Sequence, residues 1–461
     1  MASIPPNTTL SLSKESHVLV LGTGYVAEPC IQFLNRDPLI RLTVASNEES
    51  KLSMLEKKYS CNTCLLILPA ERDKLPGLVQ KYDVIISLLP KFLHAIVVEV
   101  VVEQRKHMVT SSYVSEEMRK FDSLAKGRNL ILLNEMGLDP GIDHMLALRE
   151  IQQVHDQGGK IISYTSWAGG LPAPESADNP LKYKFTWAPI GMLTNIWNPM
   201  KYLKEGHIIT GEGGTVIEHL DNIQVTKELR FEVFPNRDSL VYKDEYKIHN
   251  ATTVIRGSLR YPGHMKVLNA LKDLKLIDRS PLQHSHSNTW SSYLLNVLGR
   301  VQEERDKLVQ IVTEILGDTG LVDVVGELGL LSDTPIEVLS SPVETLARFV
   351  EDKYPLKSDE RDLVVLLNTI VAEYSEGERT RITAALIEYG IVNGFSAMSR
   401  CVGLTAAIGC KMVLLGMIAE TGVITPSHPL IIQTALQVLE SEGLSFKVKR
   451  EDISQKLQMY S

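Results

Sequence analysis

His17-Val-Leu-Val-Leu-Gly22-Thr-Gly24-Tyr-Val-Ala27-Glu-Pro29 is the stretch on which the fold turns. An apolar run of strand length ends in Gly-x-Gly-x-x-Ala, and amphipathic sequence follows. That is the strand, tight turn and helix of a dinucleotide-binding unit. Gly22 allows the turn, Gly24 leaves the backbone room to approach a pyrophosphate, and Ala27 lets the helix lie close to its strand. The N–H groups of the first helical turn then face the phosphates. A lone triplet of this kind is a weak signal, and its weight depends on the sequence after it.

Downstream, the chain alternates. A helix is expected over about 25–35, then a strand at Arg41–Ala45. Ser46-Asn-Glu-Glu49 reads as a capping box opening a helix over 47–59. A third strand is expected at Leu65–Leu68, a short helix at 72–81, and a fourth strand at Asp83–Leu89, closed by Pro90. Residues 92–105 are Val-rich and locally favour extended structure, but parallel neighbours require a crossover, which predicts a helix. Strands at His107–Ser111 and Asn129–Leu133 flank a helix over about 115–127. Six such strands make an α/β, doubly wound parallel Rossmann sheet over 15–140, and the glycine turn acquires its required context.

Beyond Leu138-Asp-Pro-Gly141 the texture changes. A helix at 142–157 leads into Gly- and Pro-rich sequence (Gly169-Gly-Leu-Pro-Ala-Pro174), read as loops, and short alternating strands up to 261. With about 351–392, residues 141–261 are expected to form an α+β substrate and dimerisation domain. Residues 262–350 form a mostly helical third one, and helices from about 393 return to the first. Residues 1–14 read as a linker without a targeting pattern. Residues 401–418 are the most apolar stretch. Lys411 at their centre favours a buried helix over a membrane span.

A net charge of −8 over 461 residues argues against nucleic acid or anionic membrane as partner. Five cysteines do not make a disulfide framework, and Cys61-Asn-Thr-Cys64 has no second pair at zinc spacing, so a reducing compartment is expected. Ligands of a doubly wound sheet gather at the carboxyl ends of its strands. Those ends are Gly22–Val26, Ser46-Asn47, Ser87–Leu89, Ser111–Tyr113 and Leu138–Pro140, although ordinary helix caps also use Ser and Asp. Glu48 and Glu49, with no cation before Lys51, would repel a 2′-phosphate; NAD is favoured, with NADP as the alternative. Arg237 and Arg260 suit a polycarboxylate, because a guanidinium binds a carboxylate bidentately; the competing reading is surface salt bridges. Glu135, Asp139, Asp143 and His144 lie close in sequence, but Gly137, Pro140 and Gly141 break any shared helix face, so no metal site is expected. His284 and His286 read as a solvated polar loop.

These residues carry a resemblance. The chain resembles the glutamate-forming saccharopine dehydrogenases of lysine metabolism, including the C-terminal half of the animal bifunctional aminoadipic semialdehyde synthases. The likeness runs from about His17 to about Lys447. It rests on Leu21–Val26, Val84–Pro90, Val109–Tyr113, Asn134–His144, Gly169–Glu175, Asn179–Phe185, Pro235–Ser239, Arg256–Tyr261 and Asn393–Met398. It implies oxidation of saccharopine by NAD(P)⁺ and water to glutamate and 2-aminoadipate 6-semialdehyde. It would place saccharopine on Ser112, Tyr113, Asp139, Arg237, Ser258, Leu259 and Arg260, with Asp139 and Tyr113 handling protons. It would place the dinucleotide on Gly22, Thr23, Gly24, Tyr25, Val26, Ser46, Asn47, Leu88, Ser111, Leu138, Asp139 and Pro140. It also implies a homodimer. In a longer polypeptide it implies fusion to a lysine–ketoglutarate reductase domain in the mitochondrial matrix, and otherwise a cytoplasmic enzyme.

Two departures stand out. Trp167-Ala168 replaces the Tyr-Cys usual before Gly-Gly-Leu-Pro-Ala-Pro, and Lys91 replaces an aromatic after Leu-Leu-Pro. The competing functions are a related amine dehydrogenase of carboxynorspermidine type, which the two arginines disfavour, and a non-catalytic dinucleotide binder, for which Ala168 is the motive.

Overall fold

The structure is a computed structural model that describes residues 10–281 and 287–454; His284 and His286 lie outside the described residues. The chain divides into two compact units, one of residues 1–159 and 382–450 and one of 160–381 and 451–461.

The first unit opens with β1 (Ser16–Leu21), α1 (Ala27–Asn35), β2 (Ile40–Ser46), α2 (Glu49–Lys58), β3 (Asn62–Leu65) and α3 (Leu75–Val79). It continues with β4 (Val84–Ser87), α4 (His94–Glu103), β5 (His107–Thr110), α5 (Glu116–Arg119), α6 (Asp122–Gly127), β6 (Ile131–Leu133) and α7 (Ile142–Asp156). Strands β1 and β4 read as unbroken apolar runs because parallel neighbours and covering helices bury them; Val18, Leu19, Ile85 and Ile86 are fully buried. Helix α4 forms against its β-branched preference. Val97, Val98, Val101 and Val102 are fully buried, and that packing outweighs the few tenths of a kcal/mol each valine costs in a helix.

Two expectations change here. Strand β3 runs three residues earlier than its apolar sequence suggests, because an edge strand is bounded by backbone pairing: Thr43 opposes Asn62 and Ser46 opposes Leu65. The capping box does not form. Glu48 is the N-cap of α2 and makes no side-chain cap bond, while the Ser46 hydroxyl accepts the Glu48 N–H at 3.2 Å and meets Thr23 Oγ1 at 2.7 Å.

The second unit contains β7 (Lys160–Pro172), α8 (Pro189–Leu193), β8 (Met200–Lys204), β9 (His207–Gly211), β10 (Asp221–Gln224), β11 (Arg230–Pro235), β12 (Arg237–Asp238), α9 (Val241–Glu245) and β13 (Thr253–Arg260). Helices α10 (His264–Asp273), α11 (Trp290–Val297), α12 (Leu308–Leu316), α13 (Thr319–Glu327) and α14 (Pro342–Lys353) precede β14 (Asp362–Glu373). Within this unit the strand order is β10-β11-β13-β7-β14, with β8 joining β13, β9 and β12. The Gly169–Pro172 segment is not a loop but the end of β7, where Gly169 opposes Val365 and Gly170 opposes Val364. A Cβ on Gly169 would lie 2.5 Å from Leu259, so the glycine serves close packing of strands. The helical segment is not a third unit. Helices α10, α12 and α13 pack on one another, α14 packs on α8, and the Trp290 ring meets the Phe349 ring, tilted, at 4.7 Å inside the second unit.

The chain closes with β15 (Arg379–Tyr389), α15 (Ala397–Leu414), β16 (Gly422–Ile424), α16 (Pro429–Ser441) and β17 (Phe446–Asp452); the division between units falls inside β15 and β17. Helix α15 is long and apolar enough to cross a membrane, but 83% of it is buried here. It lies on α1 so closely that a Cβ on Gly403 would sit 2.5 Å from the Val26 carbonyl. Lys411 is held inside by Asp37 at 2.8 Å. Strand β16 adds to β6, giving a seven-stranded parallel sheet, β16-β6-β5-β4-β1-β2-β3. Sequence reading missed β16 because three residues carry no periodicity. The linker reading of 1–14 also shortens: Leu10 and Leu12 are buried.

Candidate functional site

The strand order reverses between β1 and β4, so the dinucleotide crevice of this sheet lies above their carboxyl ends. Gly22 there has φ +104°, a conformation that favours glycine, and its Cα faces the Leu88 carbonyl; an added Cβ would come within 3.1 Å of that oxygen. At Gly24 an added Cβ meets nothing within 4 Å. No side chain caps the start of α1, and the Ala27 N–H turns back to the Gly24 carbonyl at 3.2 Å, closing the turn under the helix start. At the end of β2, Thr23 and Ser46 join hydroxyls, and the Glu48 carboxylate lies 3.5 Å from Thr23 Oγ1 and 2.9 Å from Lys51 Nζ. An open glycine, uncapped helix start and carboxylate beside the neighbouring strand end fit a dinucleotide with its phosphates on Gly22–Val26.

Strands β5 and β6 build the adjoining part. Tyr113 Oη donates to Asp139 Oδ1 at 2.5 Å, and both side chains are half-buried. Asp139 stands on the tight loop Gly137–Gly141, whose Asp139–Pro140 peptide is cis. A Cβ on Gly141 would fall 2.2 Å from the Gly137 carbonyl, and one on Gly137 3.1 Å from Ser111, so Gly141 lets the loop close on itself and Gly137 lets it lie against the residue that follows β5. Beneath it, Asp143 accepts the Gly141 N–H at 2.6 Å, Glu135 accepts the Val114 N–H at 3.1 Å, and His144 Nε2 lies 3.3 Å from Glu135. These acids and His144 do meet, despite the broken helix face, and they brace the loop that carries Asp139.

His94 is a component that sequence reading missed. It begins α4, is buried, and touches three hydroxyls: Ser87 at Nδ1 (3.0 Å), and Ser112 (2.9 Å) and Thr110 (3.4 Å) at Nε2. Burial, helped by Lys91, pushes its pKa down to about 4, so the ring is neutral. The available signal was the spacing: a crossover helix starting seven residues after Ser87 sets its first side chain over the strand end.

In the second unit, Ser258 lies opposite Ala168 on β7 and accepts from Asn236 Nδ2 at 2.8 Å. Arg237, φ +57°, is exposed on β12. Arg260 is not the surface salt bridge of the competing reading. It is 3% exposed, its guanidinium stacks 5.6 Å over Tyr183, and Nη1 donates to the Leu259 carbonyl at 2.6 Å. The β13 register turns it inward, and burial lowers its pKa although Tyr183 and Glu232 oppose that. Leu259 is fully buried, opposite Val233 of β11. Arg256, also buried, lies 4.2 Å over Tyr242.

Comparison with known proteins matches residues 18–132 to the saccharopine dehydrogenase NADP binding domain and 137–444 to the saccharopine dehydrogenase C-terminal domain. The chain belongs to the saccharopine dehydrogenase family. It is 34% identical over 441 residues to the saccharopine dehydrogenase [NADP(+), L-glutamate-forming] of Saccharomyces cerevisiae, covering 94% of this chain and 99% of that one. The apo structure of the L-Glu-forming enzyme from the same yeast superposes with a TM-score of 0.85 at 34% identity, over 95% of this chain and 100% of that one. The mitochondrial alpha-aminoadipic semialdehyde synthase of Rattus norvegicus is 36% identical over 447 residues. This chain spans about half of the rat protein's length, 48%. The family places a nicotinamide-dinucleotide-binding domain on the glycine turn, and the fold is the α/β one expected.

Proposed function

We propose that this chain is a saccharopine dehydrogenase that oxidises saccharopine, with a nicotinamide coenzyme and water, to L-glutamate and 2-aminoadipate 6-semialdehyde. The observation that carries the reading is the match to the yeast enzyme along its whole length in both sequence and structure. When bound, the coenzyme would supply the acceptor for a hydride from the carbon beside the secondary amine, whose nitrogen loses a proton. Water adds to the resulting C=N bond, and cleavage of C–N leaves the amine on glutamate and the aldehyde on the other product. The Tyr113–Asp139 pair supplies a proton acceptor for the amine and returns a proton to nitrogen as C–N breaks. Ser112 donates its hydroxyl to a substrate carboxylate, and Arg237, Ser258, Leu259 and Arg260 are the further substrate contacts. Cysteine is not needed at Ala168, since hydride transfer requires orientation and one proton acceptor.

Gly22, Thr23, Gly24, Tyr25, Val26, Ser46, Asn47, Leu88, Ser111, Leu138, Asp139 and Pro140 would hold the coenzyme. NAD is the preferred one, because the Glu48 carboxylate at the end of β2 repels a 2′-phosphate. Lys51 beside it and the NADP(+) in the names of the fungal relatives support the second reading. A homodimer and, in a longer chain, fusion to a reductase domain in mitochondria complete the proposal. The test is growth of absorbance at 340 nm with saccharopine and each coenzyme in parallel. Flat traces with both, from folded protein, rule the function out.

A further inference from the structure

Resting on the reading of Ser112 as a substrate contact, we infer that His94 is a positioning residue that fixes which way the Ser112 hydroxyl points. One imidazole stands between Ser87 Oγ, 3.0 Å from Nδ1, and Ser112 Oγ, 2.9 Å from Nε2. A neutral ring has one donor and one acceptor nitrogen, so only two arrangements satisfy both hydroxyls. In one, Ser112 gives its proton to Nε2 and presents lone pairs to the ligand. In the other, Ser87 donates to Nδ1, Nε2–H donates to Ser112 Oγ, and the proton of Ser112 remains for the ligand. A carboxylate only accepts hydrogen bonds, so saccharopine selects the second arrangement. Burial holds the ring neutral, so Nε2–H can donate to Ser112 only while Nδ1 accepts from Ser87, which couples the two hydroxyls through the ring. Thr110 completes the node: its Oγ1 accepts the Ser112 N–H at 3.3 Å and lies 3.4 Å from Nε2, so the Ser112 backbone is held by the same group. Ser87 and Thr110 end neighbouring strands β4 and β5, and the ring ties both to the first turn of α4.

The experiment uses two isosteric replacements of His94. His94→Asn places an amide near Nδ1, keeping the Ser87 side and losing the Ser112 side. His94→Gln reaches the Nε2 position and restores it. With saccharopine, His94→Asn is expected to raise KM about tenfold, the scale of one directed hydrogen bond to a charged group, and His94→Gln to recover most of that loss. The KM for coenzyme stays within about twofold in both. Adding Ser112→Ala to His94→Asn costs little more, because the hydroxyl has already lost its direction. An unchanged KM in His94→Asn, equal losses in the two replacements, or a full additional loss from Ser112→Ala overturns the role of His94. Wild-type protein without saccharopine turnover overturns the function itself, a separate outcome read in the same assay.

Discussion

Gly22 and Gly24 belong to one motif, yet their surroundings assign them different work, and alanine at each separates the two. At Gly22 the backbone has φ +104° and an added Cβ would lie 3.1 Å from the Leu88 carbonyl. Strain of this kind costs about 1–3 kcal/mol, and the contact adds to it. For a unit of this size that predicts Gly22→Ala to melt about 2–10 °C lower. At Gly24 an added methyl meets no protein atom within 4 Å, and the backbone is not left-handed, so Gly24→Ala folds as well as wild type. Removing glycine there even restricts the unfolded chain, which adds about 0.4–1 kcal/mol of stability. That methyl stands where a pyrophosphate would approach the backbone, so coenzyme affinity is expected to fall about 10- to 100-fold, or about 1.4–2.8 kcal/mol. Thermal melting without ligand and calorimetric titration with NAD and NADP read the two effects apart. Gly24→Ala with wild-type coenzyme affinity, or with a melting loss equal to that of Gly22→Ala, refutes the assignment of Gly24 to the phosphates.

Tyr113→Phe, which removes the donor of the 2.5 Å bond, and Asp139→Asn, which keeps an acceptor there but removes the basic carboxylate, should each lower kcat by about 10²–10⁴-fold, with coenzyme affinity little changed in Tyr113→Phe; near-wild-type kcat in both would move the proton acceptor elsewhere. Glu48→Gln should raise the NADP/NAD ratio of kcat/KM by about tenfold or more, since the carboxylate leaves the 2′-phosphate position and Lys51, its ion-pair partner at 2.9 Å, is released to the phosphate; an unmoved ratio discards Glu48 as the discriminator. His94 and His264 are buried neutral, their pKa values pushed down by burial first and nearby cations second to about 4 and about 3. A depressed histidine binds its proton more readily unfolded, so stability is full above the unfolded pKa of about 6.5 and drains as pH falls below it. Each ring should cost about 2 kcal/mol between about pH 7 and about pH 5, and His264→Gln should flatten the measured slope of stability on pH; an unchanged slope would locate the acid sensitivity elsewhere.

The parts that were legible in the sequence are those set by local chemistry. A turn that needs φ above zero shows as Gly22, and strands buried on both faces show as Val84-Ile-Ile-Ser87, because each constraint falls on residues adjacent in the chain. Helix α4 was legible against its own valines because parallel strands cannot be joined without a crossover. What stayed hidden depends on partners far along the chain. Strand β16 exists because Gly422–Ile424 finds the open edge of β6, and its three residues could not announce that. Gly169-Gly170 reads as a loop until Leu259 is seen pressed against it. That Arg260 is buried over Tyr183 was hidden too, because it depends on the pairing of β13 with β11, where Arg260 opposes Glu232.

The same distinction separates the two halves of the proposed chemistry. The Tyr113–Asp139 bond spans twenty-six residues and needs β5 and β6 side by side, which the alternation of strands and helices already implies. His94 requires more: β4 and β5 in register, so that Ser87 pairs with Thr110, and α4 beginning directly above them. A lone histidine on an apolar helix face is ordinarily a core residue, and nothing in its immediate sequence says otherwise. What changes its reading is the convergence of three hydroxyls on one neutral ring, one of them two residues past the end of β5 and next to Tyr113. A core residue would be satisfied by the two buried ones, Ser87 and Thr110; the bond to half-buried Ser112 is the one that leads outward from the core, to the carboxyl edge of the sheet where ligands of this fold bind.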